Sequence, residues 1–190
     1  METSEIHSAL QHVIDTLKVA SLDQFRIYTN TAEIALQDIT ISELPFYQQL
    51  AHILVSGEDL ELNFKTHFML DDVKSYTSAK LKSSAVNTNQ LTDFIKEYCN
   101  LVAGKAKLFL EEQHLVVGQS LPYAIQGFNE MFYPKTNGYS KDDAWELNGP
   151  LGSIRCSCTI RLFKTPAAAA LKGVQYTNRF GQESGEVELF

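Results

Sequence analysis

Residues 91–112 read Leu-Thr-Asp-Phe-Ile-Lys-Glu-Tyr-Cys-Asn-Leu-Val-Ala-Gly-Lys-Ala-Lys-Leu-Phe-Leu-Glu-Glu. Successive residues of a helix turn by about 100°. On that wheel Ile95, Tyr98, Val102, Ala106 and Phe109 gather on one side, flanked by Cys99 and Leu110. That stripe is a core face. Asp93, Glu97, Asn100, Gly104 and Glu111 gather on the other side, bordered by Lys96 and Lys107. Asn87-Thr88-Asn89-Gln90 offers N-cap residues, so the spacing predicts one long helix from there to about Gln113.

The outward stripe carries two unusual residues. Gly104 sits mid-helix on the side away from the core, where glycine costs about 1 kcal/mol relative to alanine. Close approach of another backbone is one reason to keep it. Asn100 is also mid-helix, where its propensity is poor and capping does not explain it. Glu97 precedes it at i, i+3, so the two side chains project together. The bare Glu-x-x-Asn spacing carries little information, since a chain of this composition should contain about 0.7 such pairs by chance. From the residues alone, the ordinary reading is a solvated helix face with one awkward glycine.

Working outward, an amphipathic helix is predicted from about Glu5 to Lys18 or Val19, on Ala9, Val13, Ile14 and Leu17. The mixed stretch to Ile39 suggests a strand through Ala32, Ile34, Leu36 and Ile39. Leu50 to Val55 and Leu60 to Phe68 flank Ser56-Gly57-Glu58-Asp59 and read as a hairpin. Leu70 to Leu81 is helical, with Asp71 and Asp72 favouring its N-terminal dipole. After the long helix, Gln119 to Ile125 reads as extended, with Pro122 inside and Gly127 closing it. Phe132 to Asp143 reads as loop. Ala144 to Leu147 and Ser153 to Phe163 read as strands joined by a turn at Asn148-Gly149-Pro150-Leu151-Gly152. Thr165 to Phe190 is either a docked appendage or a mobile tail. This order predicts an α+β fold, a mainly antiparallel sheet packed against helices, with the long helix carrying the site.

The chain has 190 residues and a formal net charge of −7, with 44% hydrophobic and 11% aromatic content. Such a composition supports a packed core and excludes general disorder. No run approaches the roughly 20 apolar residues of a membrane span. The first residues lack a basic region followed by an apolar one, so no secretory signal is expected. Without a basic block, nucleic acid is not an expected partner. The odd set Cys99, Cys156 and Cys158 points to reduced thiols in a cytoplasmic protein. Alternation places Cys156 and Cys158 on one face of a half-buried strand, with no further ligands nearby, so no metal site is expected. His7 and His12 are five apart and cannot share a metal as an i, i+4 pair can. His52, His67 and His114 show no grouping.

The segment Glu97-Tyr98-Cys99-Asn100-Leu101-Val102-Ala103-Gly104-Lys105-Ala106-Lys107 resembles the signature helix of the CheX/CheC chemotaxis phosphatase family. That signature runs Glu, two residues, Asn, an apolar stretch, then Gly, with small and Lys residues following. The resemblance continues into Ser120-Leu121-Pro122-Tyr123-Ala124-Ile125-Gln126-Gly127, where the family has a Pro-led strand ending in Gly. The hairpin and helix from Leu50 to Leu81 and the last two strands fit the family's order, so the likeness spans residues 50 to 163. Residues 20–49 match poorly, and the tail after Phe163 has no counterpart. CheC-like members carry two Glu-x-x-Asn helices. This chain has one and looks like the single-site CheX type. Tyr98 stands where a smaller apolar residue is expected, at an inward position that bears on packing more than chemistry.

The resemblance implies a CheX-like domain over residues 1–163, followed by a C-terminal extension over 164–190. It implies hydrolysis of the aspartyl phosphate of a CheY-like response regulator. Asn100 would position the attacking water, Glu97 would anchor the partner, and Asp93, Lys96, Gly104 and Lys107 would lie in the docking surface. No cofactor is expected on this chain, since any Mg²⁺ would belong to the regulator. A homodimer is implied, for which an edge strand in the late hairpin could pair across a two-fold axis. The alternative is a non-catalytic module of the same type that binds a regulator or dimerises. A small-molecule enzyme is disfavoured by the lack of a Gly-rich phosphate loop, a nucleophile elbow or a triad spacing.

Overall fold

Alternating apolar residues in two stretches, 49–68 and 152–162, build the centre of one antiparallel sheet. The computed structural model describes residues 3–44, 49–126 and 139–176. Strands β2 (Gln49–Gly57) and β3 (Leu60–Phe68) form the expected hairpin, preceded by β1 (Ala35–Ile39). Strands β6 (Tyr139–Gly149) and β7 (Gly152–Leu162) form a second one. The short strands β4 (Val117–Gln119) and β5 (Tyr123–Gln126) both pair with β2, and the order is β1-β6-β7-β3-β2-β4. Cross-strand partners share a face. The register therefore lines up Ala51, Thr66, Cys156 and Trp145 in one row and Ile53, Phe64 and Cys158 in the next. All seven are buried.

That face is covered by helices α1 (Thr3–Thr29) and α3 (Thr88–Glu111), while α2 (Leu70–Leu81) packs against α3 and β7. The two cysteines of β7 and Cys99 of α3 are fully enclosed, and burial pushes all three thiols up, Cys99 to about 12. They are core residues with inert sulfurs. Among the described residues no cluster of His, Cys, Asp or Glu could hold a metal, and no helix is long and apolar enough to cross a membrane.

Several boundaries differ from expectation, each for a physical reason. The first helix continues past Val19 to Thr29. Its second half buries Ser21, Asp23 and Gln24 along with Ala20 and Phe25, so polar residues interrupt the apolar period that would have revealed it. They are satisfied within the core: Trp145 Nε1 donates to Ser21 Oγ at 2.8 Å, and Tyr98 Oη donates to the Ser21 carbonyl at 3.2 Å. Residues 139–143, expected in a loop, belong to β6 and pair with β7. Their polar side chains disguise a strand whose Asp143 is fixed by Lys18 Nζ at 2.7 Å. The rest of that expected loop, 132–138, and Gly127 lie outside the described residues. The expected strand from Gln119 to Ile125 runs along β2 as two short strands: Gln119 pairs with Val55 and Tyr123 with His52, so one extra residue bulges between them beside Pro122, which lacks an N–H.

The late hairpin is mostly interior. Strand β7 is paired on both sides, and β1 covers Ala144–Asn148 of β6. Among the described residues the edge it offers is confined to 139–143. Its turn needs Gly152, which has φ of +141° and a position where a Cβ would lie 2.4 Å from the Asp72 carbonyl. Beyond Phe163 the chain forms a short 3₁₀ turn (Thr165–Ala167) and α4 (Ala168–Leu171), and docks on α1. Ala168, Leu171 and Val174 are fully buried, and a His12 ring nitrogen lies 2.8 Å from the Val174 carbonyl. Tyr176 Oη donates to Asp23 Oδ2 and accepts from Gln24 Nε2.

Candidate functional site

The platform is α3. Its start is fixed by a capping box in which Asn87 Oδ1 accepts from the Gln90 N–H at 3.0 Å and Gln90 Oε1 accepts from the Asn87 N–H at 2.9 Å. The inward stripe is as the wheel predicts: Ile95, Tyr98, Cys99, Val102, Ala106, Phe109 and Leu110 are all buried. Tyr98 is wedged between Phe25 and Phe64, with ring centroids 5.1 and 6.2 Å away. These contacts fix the rotation of α3 about its axis. They therefore fix which residues face out.

Glu97 is exposed, Asn100 and Gly104 are half-buried, and the three form successive steps along the outward side of α3. Asp93 and Lys96 are joined to each other at 2.6 Å, and Lys107 lies 3.7 Å from Glu111. Both are ion pairs within the helix on a wet surface, where such contacts add little to stability. All six sequence-selected residues thus lie on one face, with Glu97, Asn100 and Gly104 along its middle.

Beside Glu97 opens a groove of about 500 Å³ between α3 and the ends of α1 and α2, lined by Tyr28, Lys80, Gln90, Asp93, Glu97 and Pro122. Lys80 Nζ sits 3.7 Å from the Tyr28 ring centroid and donates to the Tyr28 carbonyl at 2.9 Å. Burial pushes the Tyr28 hydroxyl up to about 12, with the nearby Glu97 carboxylate adding to the effect. Burial also lowers Lys80, while Glu97 acts in the opposite direction. Glu97 thus colours the field of the groove, yet no cation lies within 4 Å of it among the described residues.

Asn100 meets a residue that the sequence did not single out. Gln119 Nε2 donates to Asn100 Oδ1 at 2.8 Å and to the Asn100 carbonyl at 3.3 Å. Strand β4 supplies it: Gln119 pairs with Val55 on β2, and the next residue is pinned to Leu54 by both Ser120 N–H to Leu54 O and Leu54 N–H to Ser120 Oγ. Val55 faces the core, so its cross-strand partner Gln119 points to the same side, toward α3. A Cβ at Gly104 would meet only Gln119 Oε1, at 3.9 Å. The fold itself therefore has room for alanine there.

No protein-family model matches this chain, and no curated protein matches it in sequence. Solved structures match in fold. A CheC-like chemotactic protein from Shewanella oneidensis MR-1 superposes with a TM-score of 0.62 at 17% identity, covering 78% of this chain and 97% of that one. The chemotaxis protein CheX from Vibrio vulnificus gives 0.60 at 18%, covering 76% and 96%. A chain of the CheX–CheY–BeF3–Mg²⁺ complex from Borrelia burgdorferi gives 0.64 at 14%, covering 80% and 97%. The chain has the CheX/CheC-like fold, an antiparallel sheet backed by helices with the long α3 across it.

Proposed function

We propose that this chain hydrolyses the aspartyl phosphate of a CheY-like response regulator, with Asn100 positioning the attacking water and Glu97 anchoring the partner. The observation that carries the reading is the disposition of α3. An acid and an amide one turn apart face outward on a rigid, capped helix. The complex of CheX with CheY from Borrelia burgdorferi, on the same fold, supports a CheY-like partner.

The chemistry asks for little more. An aspartyl phosphate is a mixed anhydride and already labile, so a catalyst gains most by holding a water in line with the phosphorus. A carboxamide suits that role because it is uncharged, does not repel the phosphoryl group, and both donates and accepts hydrogen bonds. Asn100 cannot act as a general base. Glu97 is free to receive a cation from the partner, such as a lysine beside the phosphorylation site, and any Mg²⁺ sits in the regulator's acidic pocket. The chain works as a cytoplasmic protein, and as a homodimer in this reading.

The direct test mixes the purified chain with phosphorylated regulators from the same genome and follows phosphate loss. Acceleration of the loss supports the reading. Binding without turnover leaves a docking module. Two variants probe the surface. Glu97→Ala is expected to raise the dissociation constant for the regulator while leaving the melting temperature unchanged, and a wild-type binding isotherm would remove Glu97 from docking. Gly104→Ala is expected to stabilise the chain by up to about 1 kcal/mol, because alanine is the better helix former, and to weaken docking by placing a methyl where the partner approaches. Urea titration and calorimetric binding separate the two effects; a variant that is more stable and binds normally would show that Gly104 is not there for the partner.

A further inference from the structure

We infer that Gln119 is a positioning residue that decides which end of the Asn100 carboxamide faces the partner, an inference resting on the reading of Asn100 given above. The orientation is set by a group that has no choice. The Asn100 backbone carbonyl can only accept, so the Gln119 atom 3.3 Å from it must be the donor Nε2. The same nitrogen lies 2.8 Å from the Asn100 side-chain amide, so the atom presented to it must be the acceptor Oδ1. Asn100 Nδ2 is thereby turned away from Gln119. Two Nδ2 hydrogens and the second lone pair of Oδ1 remain for whatever docks. That set can accept a hydrogen bond from a water, leaving the water's own lone pair aimed at phosphorus, while donating to a phosphoryl oxygen.

The rest of the site supports such a clamp. Gln119 does not hang on a loose loop: β4 is paired with β2 on one side of it, and Ser120 is doubly bonded to Leu54 on the other. A Cβ at Gly104, one turn beyond Asn100, would rest in ordinary contact with Gln119 Oε1 at 3.9 Å. A longer side chain would compete with the glutamine for the same space. One side chain, on a strand pinned alongside α3, thus holds the amide at a single orientation, which a catalyst that only positions water requires.

The test uses the ¹⁵N-labelled full chain and three variants: Gln119→Ala, Gln119→Glu and Asn100→Ala, the last assigning the Asn100 side-chain resonances. In the wild type the Asn100 NH₂ should show a rigid order parameter, and in Gln119→Ala it should drop below about 0.6. With a phosphorylated regulator, Gln119→Ala should lower kcat by roughly tenfold at unchanged KM, and should cause no further loss in the Asn100→Ala background. Glutamate at 119 has nearly the same length but can only accept, so it turns Nδ2 inward: the amide stays rigid while kcat falls as in the alanine variant. An Asn100 amide equally ordered in Gln119→Ala, or a wild-type kcat in either Gln119 variant, overturns the inference. A wild-type chain that turns over no phosphorylated regulator sinks the phosphatase reading instead, and the order parameter still decides whether Gln119 holds Asn100.

Discussion

Asn100→Ala is expected to slow phosphate loss from a phosphorylated CheY-like regulator by ~10²-fold or more, the scale of losing one positioned hydrogen-bonding group. The melting temperature and the affinity for the regulator should survive. The side chain is half-buried at the surface of α3, and its one side-chain partner among the described residues, Gln119, can be solvated when the amide is gone. Asn100→Asp sharpens the point. The carboxylate has nearly the same shape, yet it cannot donate toward the phosphoryl group and repels it. It also turns the contact with Gln119 Nε2 into a charge-assisted one, so the side chain stays ordered and is still wrong for the chemistry. The aspartate variant should therefore fall with the alanine variant. An unchanged rate in Asn100→Ala would take Asn100 out of the mechanism, and full activity in Asn100→Asp would defeat the charge argument.

The second large effect is on stability. Tyr98→Ala is expected to cost about 3–5 kcal/mol, the range for deleting a large buried ring. Tyr98 is fully enclosed, its ring packs against Phe25 and Phe64, and its hydroxyl donates to the Ser21 carbonyl in the second half of α1. Tyr98→Phe keeps the ring and removes only the hydroxyl, with its bond to the Ser21 carbonyl and its weaker contact with Cys156 Sγ at 3.7 Å, and should cost about 1 kcal/mol. Urea unfolding measures both. If Tyr98 acts in packing alone, the rate per folded molecule in Tyr98→Phe equals that of the wild type; a slower enzyme at undiminished stability would place Tyr98 in the chemistry.

How far the sequence alone reaches depends on what kind of residue marks each feature. Strand β3 and helix α2 fall on Leu60–Phe68 and Leu70–Leu81 as expected, because strict alternation ends abruptly and acidic residues open the helix. The outward placement of Glu97 and Asn100 follows from helical geometry and the apolar stripe opposite them. The second half of α1 was illegible for the opposite reason: Ser21, Asp23 and Gln24 look solvated, and their burial is supported by Trp145, Tyr98 and Tyr176, from three distant segments. Residues 139–143 were hidden likewise, since a strand that sets a half-buried Asp143 against Lys18 shows no apolar period. Gln119 could not have been found by spacing. Its contact with Asn100 exists only because β2 carries β4 alongside α3. Gly104 did not point to it, since a Cβ there would lie in ordinary contact with Gln119 Oε1 at 3.9 Å.

The docked stretch from Thr165 to Tyr176 also bears on how the chain can be shortened. The sequence resemblance to the CheX/CheC family places the end of the domain at Phe163, an inviting place to cut. A cut there would strip α1 of Ala168, Leu171 and Val174, baring a greasy strip, and would take from Asp23 the hydroxyl that accompanies its burial. Molecules trimmed at that point would stick to one another through the bared flank, and any fall in activity would then report clumping rather than chemistry.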